Sequence, residues 1–90
     1  MTGKQALEKV LNTVRSYVHT NHKNPACLVL GWELSIDLCK CNMTEIGQLA
    51  EEVMKYGNKA FEKHGLFGIP VKIDREKFTS DIEALPKTKK

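Results

Sequence analysis

The segment Ala26-Cys27-Leu28-Val29-Leu30 is a continuous apolar run enclosed by Pro25 and Gly31. It falls far short of the roughly 18 apolar residues that a membrane span needs, and no run in the chain reaches that length. Its length and its Pro and Gly boundaries suit a strand buried on both faces. Such a strand demands partners. A chain of 90 residues has room for one small domain around it, and not for a TIM barrel, a doubly wound dinucleotide-binding fold or two independent domains.

Upstream of the run, Leu7, Val10, Leu11, Val14 and Val18 recur at the spacing that places one apolar stripe on a helix. Thr2 and Gln5 have capping-box spacing, so the predicted helix covers about residues 3–20. It should stop before Pro25, because the residue preceding a proline is pushed out of helical backbone space.

Downstream, Trp32, Leu34, Ile36 and Leu38 alternate with Glu33, Ser35 and Asp37 in the manner of a half-buried strand. The same residues also allow a short helix with Leu34, Leu38 and Cys41 on one side. No turn separates them from Leu30, which tilts residues 32–40 toward helix. Thr44 is the expected N-cap of a central helix whose stripe of Ile46, Leu49, Ala50, Val53, Met54, Ala60 and Phe61 runs to about His64, with Gly57-Asn58 as a kink or a split. Gly65 fits a helix-closing left-handed position, and Gly65-x-x-Gly68 reads as a turn. Ile69–Ile73 supplies a second strand, Pro70 placing it at an edge or a strand start. Asp74 is expected to cap a last short helix with Phe78, Ile82 and Leu85 facing inward, ended by Pro86. This order predicts a small single α+β domain over residues 1–86, α/β-like in that two strands joined by a helical crossover pair in parallel with right-handed connection. Two or three short strands pack against the N-terminal and central helices. Residues 87–90 form a basic flexible tail.

The chain carries 14 basic and 11 acidic residues, a net charge of +3. Lys87, Lys89 and Lys90 account for that excess, so the body is neutral. Its cations are interleaved with acids, as in Glu51, Glu52 and Lys55, in Glu62 and Lys63, and in Arg75, Glu76 and Lys77, where a duplex-binding domain concentrates a basic stripe. The first 25 residues lack the apolar core and cleavage site of a secretory signal, so a cytoplasmic location is expected, in a host cell or a virion. A chain this short buries only around 60–65% of its unfolded surface, which favours a homo-oligomer or another protein as a covering partner.

For chemistry, Cys39 and Cys41 form a C-x-C pair, His19 and His22 lie one helical turn apart, and Cys27 and His64 are further soft ligands. Structural zinc sites use wider cysteine spacings, and Cys27 sits in the apolar run, so the cysteines read as packing residues and no metal or cofactor is expected. A nucleophilic cysteine needs a stabilised thiolate and an oxyanion hole, and no glycine-rich elbow accompanies these residues. Glu51 and Glu52 point to different faces of a helix, so no acid/base pair stands out and no catalytic residue is assigned. Asn42-Met43-Thr44 matches a glycosylation sequon but reads more simply as a turn and helix cap. Trp32, the one tryptophan, is the candidate protein-binding anchor, with Tyr17 and Tyr56 bordering their helix stripes.

Gly68-Ile69-Pro70-Val71-Lys72-Ile73-Asp74, with Pro25–Leu38, where an apolar strand ends in Leu30-Gly31 and continues as Trp32-Glu33-Leu34, resembles small uncharacterised α+β proteins of tailed phages and prophages. The resemblance covers residues 25–74 and implies an apolar strand with a Gly, a helix and a closing G-I-P-V strand, with no catalytic residues to carry over. The leading expectation is a non-enzymatic phage-type accessory protein that binds another protein, as a virion accessory part or an inhibitor of host machinery, with no membrane partner. The alternatives are a nucleic-acid-binding accessory protein using the lysine tail with His19, His22 and Lys23, and a small zinc module.

Overall fold

The structure, a computed structural model, describes residues 2–86. Along the chain run α1 (Gly3–Asn21), β1 (Cys27–Gly31), α2 (Trp32–Leu38), α3 (Met43–Ile46), α4 (Leu49–Tyr56), α5 (Lys59–His64), β2 (Val71–Asp74) and β3 (Ile82–Leu85). The strands form one mixed sheet in the order β2-β1-β3. β1 and β2 are parallel, with Leu28 opposite Val71, and β1 and β3 antiparallel, with Leu30 opposite Ile82. This is the expected α+β architecture with three strands.

α1 begins with the anticipated capping box: the Gln5 backbone N–H donates to Thr2 Oγ1 at 3.1 Å and the Thr2 N–H to Gln5 Oε1 at 2.9 Å. Both groups are orphan donors of a first turn, so the pair fixes where the helix starts. The stripe buries Ala6, Val10 and Val14. At the far end His22 adopts the left-handed conformation and its N–H returns to the Val18 carbonyl.

β1 is buried on one face only, which corrects the two-sided burial expected from its unbroken apolar run. Leu28 and Leu30 are fully buried, while Cys27 and Val29 are partly exposed. The helices cover only the face that also carries Val71 and Ile73, where Leu34, Leu38 and Phe61 complete the core. Each such side chain contributes about 1.5–3 kcal/mol by leaving water.

Two further corrections concern helix boundaries. The split expected at Gly57-Asn58 is present, and a second break at Gly47 makes the central helix three short helices, because Gly47 and Gly57 take positive φ (62° and 63°) and stop α3 and α4. α3 is capped by Asn42 and not by Thr44: the Asn42 Oδ1 accepts from the Glu45 N–H while Glu45 Oε1 accepts from the Asn42 N–H. The break before α5 has a structural use, since Asn58 Nδ2 donates to the buried Ser35 Oγ at 3.1 Å, whose hydroxyl donates to the Trp32 carbonyl at 2.7 Å. Gly65 ends α5 at φ 75°, and Leu66 and Ile69 close a tight turn with reciprocal backbone bonds. Both turn residues, Phe67 and Gly68, have positive φ.

The last helix expected after Asp74 does not form. Residues 82–85 are β3 instead, because β1 has an open antiparallel edge, and a ladder plus burial of Ile82 and Ala84 outweighs a short isolated helix. The loop between β2 and β3 also supplies what α2 lacks. Gly31 has no side chain to cap that helix, and the carbonyls of Lys77 and Thr79 accept from the Trp32 and Leu34 N–H groups at 2.8 and 3.3 Å. A Cβ on Gly31 would collide with the Thr79 carbonyl oxygen. No helix among the described residues is long and apolar enough to cross a membrane.

Gly31→Ala therefore forces the 77–81 loop away from the start of α2. Denaturant titration should show a loss of about 1–3 kcal/mol, the usual cost of inserting a methyl group into packed structure.

Candidate functional site

Where two parallel neighbouring strands end, their following residues emerge side by side. Trp32 follows β1 and Arg75 follows β2, and the register that sets Gly31 opposite Asp74 brings them together. The Arg75 guanidinium carbon lies 6.0 Å from the centre of the Trp32 ring, within cation–π range.

Arg75 is held there by α5. Its two terminal nitrogens donate to Glu62 Oε1 at 2.8 Å and Oε2 at 3.2 Å, and Glu62 Oε2 also accepts the Ile73 backbone N–H at 3.0 Å. The carboxylate thus orients the guanidinium and satisfies a donor on the outer edge of β2, which would otherwise invite a foreign strand. The hydrogen bond from Arg75 is the main reason the Glu62 carboxyl lies below its usual value, helped by the Ile73 N–H and opposed by partial burial.

On its outer side Trp32 shares an open recess of about 400 Å³ with Glu33, Ile36 and Asp37. Ile36 is 41% exposed, and Phe78, 66% exposed, sits between the two residues whose carbonyls cap α2. The chain thus presents a partly buried indole flanked by apolar and acidic side chains.

The other two candidate anchors lie elsewhere. Tyr17 borders a shallow depression along α1 with Gln5, Lys9 and Thr13, and Tyr56, half-exposed at the end of α4, carries the Lys63 ammonium 4.8 Å from its ring centre. None of the four main depressions among the described residues is lined by two of the three aromatics.

The histidines and cysteines are likewise dispersed. Cys41 is buried and its thiol donates to the Gly3 carbonyl at 3.1 Å, at the start of α1. His19 and His22 stand at the other end of that helix, about 24 Å away at 1.5 Å per residue. His64 instead meets Glu52, Nε2 to Oε1 at 3.1 Å. Among the described residues no group of three or more His, Cys, Asp or Glu side chains is placed to hold a metal ion. Lys87, Lys89 and Lys90, which the nucleic-acid alternative relies on, lie outside the described residues. Comparison with family models, with curated proteins and with solved structures finds no match to this chain.

Arg75 and Glu62 escape a reading of the sequence, where both belong to interleaved charges typical of a solvated face. Ile36 carries a usable signal: four residues after Trp32, it shares the tryptophan's side once residues 32–38 are helical.

Two pH effects follow. Glu62 has a lowered folded-state value, so its stabilisation is present above about pH 4.5 and is lost as pH falls below it. Glu62→Gln should flatten the acid limb of a stability–pH curve measured by urea unfolding. Burial, with Glu45 and Cys39 nearby, pushes the Cys41 thiol up to about 11 from 9.0. Its stabilisation is complete below pH 9 and disappears as pH rises toward 11. Cys41→Ala should be less stable than wild type at neutral pH, with the gap closing in alkali.

Proposed function

We propose that this chain is a non-enzymatic accessory protein of the phage type that works by binding another protein, of the host or the virion, through the outer face of α2. The observation that carries the reading is the fixing of Trp32 by the Glu62–Arg75 pair. A tryptophan ordered before binding loses little side-chain entropy on association, and partly buried aromatics flanked by polar rims are where interface energy concentrates. Ile36, which shares the recess, extends its apolar area. Glu33 beside the recess, where Asp37 is already paired with Lys40 at 3.1 Å, favours a partner that offers an apolar side chain next to a cation.

Recovery of partners from host lysate, followed by titration of the purified partner, tests this. Trp32→Ala should weaken binding by about thirtyfold or more, the loss typical of an interface hot spot. Arg75→Met, which frees the ring without removing it, should weaken binding less, and Tyr56→Ala should leave it unchanged. Undiminished binding by folded Trp32→Ala contradicts the proposal.

A further inference from the structure

The sheet has two outer edges, and they differ. On β2 the backbone groups that face away from β1 belong to Val71 and Ile73, because the Leu28 N–H donates to the Pro70 carbonyl and so turns Pro70, Lys72 and Asp74 toward β1. Glu62 closes that edge by accepting the Ile73 N–H at 3.0 Å. On β3 the Asp81 carbonyl accepts the Gly31 N–H at 2.9 Å, so Asp81, Glu83 and Leu85 turn toward β1. Ile82 and Ala84 then point their N–H and C=O groups outward. Among the described residues no strand and no side chain bonds to any of these four groups.

A bare edge is a template on which another extended chain adds as a further strand. A second copy of this chain fits it poorly. Antiparallel pairing of β3 with its own copy allows three registers that join the outward groups. One sets Glu83 against Glu83, one sets Glu83 against Asp81 twice, and the third sets Pro86, which has no N–H, against Ile82. The β2 edge of a copy is already occupied by Glu62. The side chains of β3 state the pattern that does fit. Glu83 is exposed on the side of the sheet that no helix covers, and none of the ion pairs among the described residues includes it. Asp81, two residues earlier, shares its charge with Lys77 at 3.7 Å. A residue opposite Glu83 on an added antiparallel strand forms a non-hydrogen-bonded pair with it, where side chains come closest, so a cation is favoured there. Ile82 and Ala84 are half-buried against the core on the other side, where the neighbouring residues of an added strand extend an apolar layer.

We propose that the outer edge of β3 is a docking site for an extended segment of another protein, which adds antiparallel to Ile82–Leu85 and carries a lysine or arginine opposite Glu83 between two apolar residues. Main-chain bonds to Ile82 and Ala84 hold the segment, and Glu83 selects its charge. No residue of β3 lines the recess beside Trp32, and the inference stands whether or not α2 binds another protein. Two outward-facing residues make a short ladder, so the complex belongs to the small, transient class.

Selection of a bead-displayed library of random peptides, each about ten residues long to cover the usual range of strand lengths, on the purified chain tests this. Selected peptides should alternate apolar residues with a lysine or arginine. Ala84→Pro removes one outward donor and no bond to β1, at a position where an edge strand tolerates proline, so its circular dichroism should match wild type. It should weaken the selected peptides about tenfold or more, because a peptide carbonyl loses its donor. Glu83→Lys, at an exposed site, should turn the preference at the facing residue from cations to acids. No enriched peptide, binding indifferent to Ala84→Pro, or a preference unmoved by Glu83→Lys would each overturn the proposal. A chain that dimerises and becomes monomeric in Ala84→Pro would make a second copy the occupant and overturn it as well.

Discussion

The backbone of Cys27–Gly31 is hydrogen-bonded along both of its edges, to β2 on one side and β3 on the other. With that double ladder, Leu28 and Leu30 have a rigid plane from which to meet α1, α2 and α5, and every other element is placed relative to it. A five-residue strand with one partner would be marginal, and a hairpin alone is not stable in water. The pairing with β3 is therefore what turns an apolar run and a set of short helices into a domain. It also carries the 77–81 carbonyls to the start of α2, where Gly31 leaves room for them.

The surface around Trp32 is a consequence of this central strand. Because β1 and β2 are parallel and in register, the residues after them leave the sheet together, which is how Trp32 comes to lie beside Arg75 and how Glu62 on α5 can steady the pair. Because the helices pack on one face, the alternate residues of the strands remain outside, Lys72 and Asp74 from β2, Cys27 and Val29 from β1, and Glu83 and Leu85 from β3. Glu62 adds a second economy: by accepting the Ile73 N–H it occupies the outer edge of β2.

Much of this was legible from local pattern. The N-terminal stripe and the Thr2–Gln5 spacing are short-range signals, and they correspond to α1 and its capping box almost residue for residue. Pro25 and Gly31 mark the central strand, and Trp32 stands out as the lone indole. What escaped depends on partners distant in sequence. Phe78, Ile82 and Leu85 suit one side of a helix as well as Ile82 and Ala84 suit one side of a strand, and only the vacant edge of β1 decides between them. The two-sided burial inferred for the apolar run failed because a strand's outer face can be apolar and still lack a cover. The Glu62–Arg75 clamp joins α5 to the end of β2, and nothing in either segment announces the other.

The pairing of residues 82–85 with β1 is thus the claim on which the account turns, and nuclear Overhauser spectroscopy addresses it directly. In the observed register Leu30 and Ile82 form a non-hydrogen-bonded antiparallel pair, as do Leu28 and Ala84, which brings their α-protons close together. Strong α-proton to α-proton cross-peaks between Leu30 and Ile82 and between Leu28 and Ala84 are the predicted result. Helical contacts between residues three apart across 78–85, with those cross-peaks absent, would contradict it.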